Sequence, residues 1–344
     1  MIPASTERRQ TSANWQQEQA AGYRRPLELL ADLGLVDELG PRLADAQMLR
    51  EFPLRVPRSF VRRMRHGDAN DPLLRQVLPL ALESVDRTGF VDDPVAESPA
   101  LRAPGLLQKY AGRALLITTG ACAVHCRYCF RRAFPYAEQV DDSARWQSAI
   151  DVIAAEPSLE ELILSGGDPL THSDARLADL SARLQSIPHL RRLRIHTRQP
   201  IVLPARVDAG LIAWLGSLRW KTTVVLHCNH PAEIDPEVAA ACARLRAAGV
   251  TLLNQSVLLA GVNDNAQVLA SLSRRLFDCD VLPYYLHLLD PVRGAAHFEV
   301  SEVLARGLMT ELAHTLPGYL LPRLVREIPD RAAKTVISAG LAPT

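Results

Sequence analysis

Lysine is almost missing from this sequence. Lys109, Lys221 and Lys334 are the only three in 344 residues, although lysine and arginine together number 39. Chemistry that needs a primary amine therefore has three candidates. A charge imbalance is missing as well. The formal net charge is +1, which excludes a bulk electrostatic pull toward nucleic acid or a membrane surface. No apolar run is long enough to span a bilayer. Met1 to Gln19 are polar and hold no apolar h-region, so no secretory signal is expected. The six cysteines are irregularly spaced and suggest no disulfide framework. Together these absences predict a cytoplasmic protein whose thiols stay reduced.

What is present is a large apolar fraction, 48% of residues, enough for one large domain and a smaller one. Residues 1 to about 20 read as a loose polar arm. From Pro26 to Met48, Leu27, Leu29, Leu30, Leu33, Leu35, Val36, Leu39 and Leu43 suggest short amphipathic helices punctuated by Gly34 and Gly40. Residues 52–60 form a proline-broken connector in which Ser59 is expected to cap a helix. Phe90 to Pro104 is proline-rich and expected to run extended over the surface. Residues 1–105 are thus predicted to be a helical N-terminal region. From 106 to 344 the period changes. Strand-like runs at 114–118, 161–165, 193–197, 222–228, 251–259 and 282–289 alternate with amphipathic stretches at 143–156, 173–187, 208–217, 235–248, 265–277 and 301–315. Six βα units predict an α/β fold with a parallel sheet rolled into a partial barrel, its site at the C-terminal ends of the strands.

The loop after the first run carries Cys122, Cys126 and Cys129, spaced three residues and then two. Three thiolates can hold three irons of a [4Fe–4S] cluster. A closed electron-transfer cluster takes four cysteines, and no fourth lies nearby, so one iron is left open to chelate an external ligand. The other reading is a Cys3His zinc site with His125 as fourth ligand. Zinc sites usually pair two CxxC units, and a second one is lacking. The Cys-x3-Cys-x2-Cys loop after a first barrel strand resembles the signature of radical S-adenosylmethionine (SAM) enzymes, whose folds are open (βα)6 partial barrels.

The strand ends add to this. Ser165-Gly166-Gly167-Asp168-Pro169 follows the second run, and consecutive glycines allow close backbone approach to a ligand. An ordinary capped turn gives the same string. Arg194, His196 and Arg198 end the third run, and alternation could put them on one face. His227-Cys228-Asn229-His230-Pro231 ends the fourth, with Cys228 read as a small buried hydrophobe. Asn254-Gln255-Ser256 sits in the fifth, where two amides would be costly unpaired and are expected to face a polar ligand.

Jointly, Ser-Gly-Gly-Asp, His-x-Asn-His-Pro, Asn254-Gln-Ser-Val-Leu-Leu-x-Gly-Val-Asn-Asp264 and Pro283-Tyr-Tyr with His297-Phe298 resemble the lysine 2,3-aminomutases, from about Asp71 to Lys334. The resemblance implies SAM contacts from Gly166, Gly167, Asp168, His227, Asn229 and Gln255. It implies a second cofactor, pyridoxal 5′-phosphate (PLP), joined to Lys334 as a Schiff base. Where the family has glycines before that lysine, this chain has Asp330, Arg331, Ala332 and Ala333. Lys109, Tyr110 and Arg113 match the family's phosphate cradle, with lysine where arginine can stand. Arg131 matches its substrate-carboxylate arginine, and Asp290 an acid that binds the ε-ammonium. Glu327 falls where the family has a second acid, an aspartate.

The activity implied is a radical 1,2-amino migration that turns L-lysine into β-lysine, with electrons from a donor such as flavodoxin or ferredoxin. Residues 54–60, 130–138 and 287–298, and a chain that stops ten residues after Lys334, look like the shorter proteobacterial branch. That branch makes (R)-β-lysine for attachment to elongation factor P by a separate ligase. A free-lysine enzyme of catabolism or osmolyte synthesis is the near alternative, and a non-catalytic Fe–S or zinc protein the distant one.

Overall fold

A computed structural model describes residues 15–136 and 143–338. The expected polar arm up to residue 14, and the last two residues of the 130–138 motif, lie outside the described residues.

Ten strands form one sheet in sequential order. Six are the expected ones: β3 (Arg113–Thr119), β4 (Glu161–Gly166), β5 (Arg192–Thr197), β6 (Lys221–His227), β7 (Thr251–Val257) and β8 (Leu282–His287). They pair in parallel, each with the next. The connecting helices are α1 (Ser143–Ala155), α2 (Asp174–Gln185), α3 (Ala209–Ser217), α4 (Pro236–Ala247), α5 (Ala266–Phe277) and α6 (Glu302–Thr315). Helices α2 to α6 each open on a side chain that caps the first turn: Ser173, Asp208, Asp235, Asn265 and Ser301. Each cap is worth roughly 1 kcal/mol and fixes where a loop ends and a helix begins.

Four strands were not expected. β1 (Leu101–Ala103) and β2 (Leu106–Tyr110) precede β3 and are antiparallel, so the end of the supposedly helical region is sheet. β9 (Arg323–Arg326) pairs in parallel with β8, and β10 (Thr335–Val336) returns antiparallel to β9. No pairing of β1 with β10 closes the sheet among the described residues. The fold is a partial barrel.

The main apolar core lies between sheet and helices, where Leu116, Leu162, Leu164, Ile195, Val224 and Leu226 meet Ile153, Leu180, Trp214 and Leu245. Cys228 is buried in that core, as expected for a small hydrophobe. Residues 15–80 build a second core of short helices, and Ala123 and Val124 of the cysteine loop are part of it. The N-terminal region therefore sits on the cysteine loop. Ser59 does not cap its helix, where Pro57 holds the cap position; its hydroxyl donates 2.8 Å to the Val202 carbonyl. Among the described residues no helix is long and apolar enough to cross a membrane.

Candidate active site

The inner face of the sheet is not filled by side chains. It encloses a cavity of about 890 Å³. The cysteine loop lines it, with Gly166, Gly167, Asp168, His227 and Gln255, as do Lys109, Tyr110, Arg113, Arg131, Asp290, Glu327 and Lys334. Of the residues that the family resemblance assigns to the site, Asn229 alone is not on its wall. Asn229 is buried, donates to Gln76 Oε1 and to the Tyr128 hydroxyl, and accepts from the Val257 amide. Asn254 is likewise turned inward. It is tied to both backbone groups of Cys228 and to Ser256, because alternation sends its neighbour Gln255 to the cavity instead.

Nor does the site cluster only at the C-terminal strand ends. Tyr110 and Arg113 flank a two-residue turn at the start of β3, and the cysteines follow its end. Seven residues of strand separate the two groups by about 20 Å. An open barrel lets one cavity run that length, whereas a closed barrel fills its interior with side-chain layers.

The cysteine end is built by close backbone packing. A Cβ on Gly167 would lie 2.4 Å from the Ala121 carbonyl oxygen, and one on Gly166 2.5 Å from that of Thr119. The loop of β4 thus rests against the start of the cysteine loop with no room for side chains. Asp168 is turned into the protein. Its carboxylate accepts from Thr197 Oγ1 and from the amides of Leu170, Arg198 and Gln199. Burial pushes it up to about 6 even so. It acts here as the cap and latch of its turn.

Cys122, Cys126 and Cys129 are free and partly buried. Burial pushes the Cys129 thiol up to about 11 and Cys122 well above its ordinary value. Cys126 Sγ accepts 2.8 Å from Arg198 Nη1. His125 stacks on Phe52 and engages the Pro53 carbonyl through Nδ1. Among the described residues no three histidine, cysteine or acidic side chains gather on a single ion. A cubane spreads its irons and takes one thiolate at each of several corners, so it does not require that convergence. The donor set of three thiols, with no fourth cysteine on the wall, fits a cluster with one open iron.

Between the two ends stand three neutral imidazoles. His196 on β5, His227 on β6 and His287 on β8 each have a buried Nε2 without a protein partner, and all three line the cavity. Burial holds His227 down to about 3, and His196 and His287 well below their ordinary value. Unpartnered buried nitrogens facing a cavity fit a polar ligand.

At the far end Lys334 precedes β10 and Glu327 follows β9, so the hairpin sets them side by side. Lys334 Nζ donates 2.5 Å to Glu327 Oε2, and the Tyr110 hydroxyl donates to Glu327 Oε1. Burial works against the Glu327 charge, but Lys334 and Tyr110 hold the carboxyl below its usual range. Asp330, in the glycine-poor stretch, adopts φ 61°. It thus takes a left-handed turn that glycine adopts without strain and aspartate tolerates. Arg113 stacks over the Tyr110 ring, 4.5 Å from its centroid. Lys109 Nζ donates to the Val95 carbonyl. These cations, an amine and an aromatic ring fit a phosphorylated pyridine aldehyde.

Asp290 is half-buried on the wall, and burial raises it to about 7. Arg131 has its Nε and Nη2 on Glu97, at 2.7 and 2.6 Å, and Nη1 on Ser165 Oγ. Glu97 was not expected. It lies in the proline-rich stretch read as surface, yet it is 4% exposed. Nothing local marked it, since its partner is 34 residues away.

Curated proteins are similar along nearly the whole chain. The L-lysine 2,3-aminomutase of Escherichia coli (strain K12) is 50% identical over 328 residues, 95% of this chain and 95% of its own. That of Buchnera aphidicola subsp. Baizongia pistaciae is 43% identical, over 95% of this chain and 96% of its own. That of Clostridium subterminale is 37% identical, over 85% of this chain and 70% of its own. No protein-family model matches the chain. Among solved structures, a radical SAM methyltransferase from Sphaerobacter thermophilus aligns at TM-score 0.45 with 17% identity, over 64% of this chain and 68% of its own. Native anSMEcpe with bound AdoMet aligns at TM-score 0.44 with 13% identity, over 58% of each chain.

Proposed function

The chain belongs to the lysine 2,3-aminomutase family, a family of isomerases, and from that premise we propose that it converts L-lysine to (R)-β-lysine with a [4Fe–4S] cluster, SAM and PLP. One observation supports this above the rest: a single cavity is lined at one end by three free cysteines and at the other by Lys334.

When bound, these groups supply one-electron cleavage of a sulfonium carbon–sulfur bond and a carbonyl that bonds a primary amine. Cys122, Cys126 and Cys129 hold three irons and leave the fourth for SAM. Gly166 and Gly167 bring backbone within reach of its methionyl end, and His227 and Gln255 offer polar atoms beside it. Lys334 is the amine that carries PLP at rest. Glu327 pairs with that amine, and so provides the nearest site for its proton when it reacts. Lys109, Tyr110 and Arg113 receive the phosphate. Asp290 receives the substrate ε-ammonium, whose charge favours the ionised carboxylate. Arg131 faces the substrate carboxylate beside Ser165, held in place by Glu97. The N-terminal helices cover the cysteine loop and keep water from the radical chemistry.

The finer reading is that the β-lysine is destined for a lysine of elongation factor P, joined by a separate ligase in the cytoplasm, with flavodoxin or ferredoxin as electron donor. The motifs at 54–60, 130–138 and 287–298 support it. So does near-full-length similarity at 50% identity to a relative whose own chain is covered to 95%. The test is an anaerobic assay of the reconstituted protein with lysine, SAM, PLP and a strong reductant, followed by chiral analysis. (R)-β-lysine is expected; the (S) isomer alone, or no β-lysine from fully loaded protein, overturns the reading. Intact mass of elongation factor P, with its ligase present, should gain a lysyl unit only when this protein is active. An unchanged mass beside rapid turnover of free lysine would point to a metabolic role instead.

A further inference from the structure

We propose that Arg198 is a positioning residue that sets the reduction potential of the cluster through Cys126, with Glu233 as its counterweight. This rests on the reading that Cys122, Cys126 and Cys129 hold a [4Fe–4S] cluster.

Arg198 follows β5 and is 5% exposed. Its guanidinium is held from several sides. Nη1 donates 2.8 Å to Cys126 Sγ and 2.7 Å to the Tyr128 hydroxyl. Nη2 donates 2.7 Å to Gln76 Oε1 and 3.0 Å to Glu233 Oε2. The Arg198 amide donates 2.7 Å to Asp168 Oδ2. Three segments therefore hold one planar fork, and Asp168 anchors the backbone beneath it, which leaves the fork little freedom to turn from the sulfur. Glu233 is itself fully buried, and its Oε1 accepts from Gln76 Nε2 and from the amides of Asn229 and His230. The Arg198 fork thus carries its charge onto Cys126 Sγ through one Nη and onto the buried Glu233 carboxyl group through the other.

A charge-assisted donor on a ligating sulfur withdraws electron density from it and favours the reduced cluster. Such hydrogen bonds, with local charge and burial, set cluster potentials. In a dry site the influence of each charge is strong. Removing the Arg198 charge takes the donor from Cys126 Sγ, leaves Glu233 with less positive charge beside it, and should make the cluster harder to reduce. Removing the Glu233 charge leaves Arg198 uncompensated and should make it easier. An ion pair that only tied loops together would have no reason to move the potential in opposite directions.

The experiment uses the full chain, reconstituted anaerobically, with iron and acid-labile sulfide measured and the cluster titrated by EPR without SAM or lysine. In R198Q the one-electron equilibrium should shift at least tenfold toward the oxidised cluster, about 59 mV. In E233Q it should shift toward the reduced cluster. R198K keeps the charge on a single-point donor and should fall between R198Q and the unsubstituted protein. If R198Q does not take up four irons, the downward shift of R198K and the upward shift of E233Q decide the matter. Potentials that stay at the unsubstituted value, or move in the same direction in both charge variants, overturn the proposal. So does loss of the cluster from all three variants, because Arg198 and Glu233 stand outside the ligand set. Failure of the unsubstituted chain to bind four irons is a different result: it sinks the cluster reading itself.

Discussion

Glu83→Gln should unfold this protein far more readily than its single lost charge suggests. The cysteine loop carries Arg127, Arg131 and Arg132 between and after its thiols, and each is tied to an acid of the N-terminal region. Glu83 serves two of them. Its Oε1 accepts 2.8 Å from Arg127 Nε, and its Oε2 accepts 2.6 Å from Nη2 of both Arg127 and Arg132. The side chains of Glu83 and Arg127 are 0% exposed and that of Arg132 12%. Glutamine keeps the shape but leaves a fully buried guanidinium without an anion and a second one beside it. Breaking one partner of a buried pair costs about 3–5 kcal/mol, a hundredfold or more in the folding equilibrium. The Arg87–Glu299 pair is a built-in control. It is equally close at 2.8 Å, but its side chains are 56% and 41% exposed, so Glu299→Gln should cost less than about 1 kcal/mol. Urea unfolding of the apoprotein, followed by circular dichroism, measures both. A loss below about 1 kcal/mol for Glu83→Gln would refute the argument that buried ion pairs fix the cysteine loop.

Other substitutions test the site. Lys334→Ala should remove PLP from the peptide that carries it after borohydride reduction and peptide mapping; PLP retained on another lysine would reassign the amine. Asp290, at about 7, is neutral below that pH and a carboxylate above it. KM for lysine should therefore rise as pH falls through 7. Asp290→Asn should flatten that profile and raise KM at pH 8 about ten- to hundredfold, the worth of a hydrogen bond to a charged group. Gly167→Ala places a Cβ against the Ala121 carbonyl, so iron uptake should fall sharply while circular dichroism stays near normal. Full iron content in that variant would show that the glycine contact is slack.

The sequence made the six βα units visible because each strand is a short apolar run and most following helices open on a serine, aspartate or asparagine. β1, β2, β9 and β10 were not visible. They span three, five, four and two residues, and Arg323 and Arg326 break any apolar run. The cysteine loop and Lys334 could be read because their chemistry is encoded locally. Glu97 and the Arg198 network could not, since their partners lie 34 to 122 residues away and only the folded sheet unites them. Asn229 and Asn254 misled for a related reason. A buried amide at a strand end serves its neighbours as readily as a ligand: Asn254 bonds the Cys228 backbone, and Asn229 the Val257 amide and the side chains of Gln76 and Tyr128. His287 had one usable signal, its place at the end of a strand three residues before Asp290.

The proposed activity needs an iron left open by three thiolates. Mössbauer spectroscopy of the ⁵⁷Fe-reconstituted protein, with and without SAM, addresses it most directly. One iron in four should change its isomer shift when SAM is added, while the other three stay as thiolate-bound sites. Four irons that ignore SAM, or a loop that takes up zinc in place of iron under anaerobic reconstitution, would contradict it.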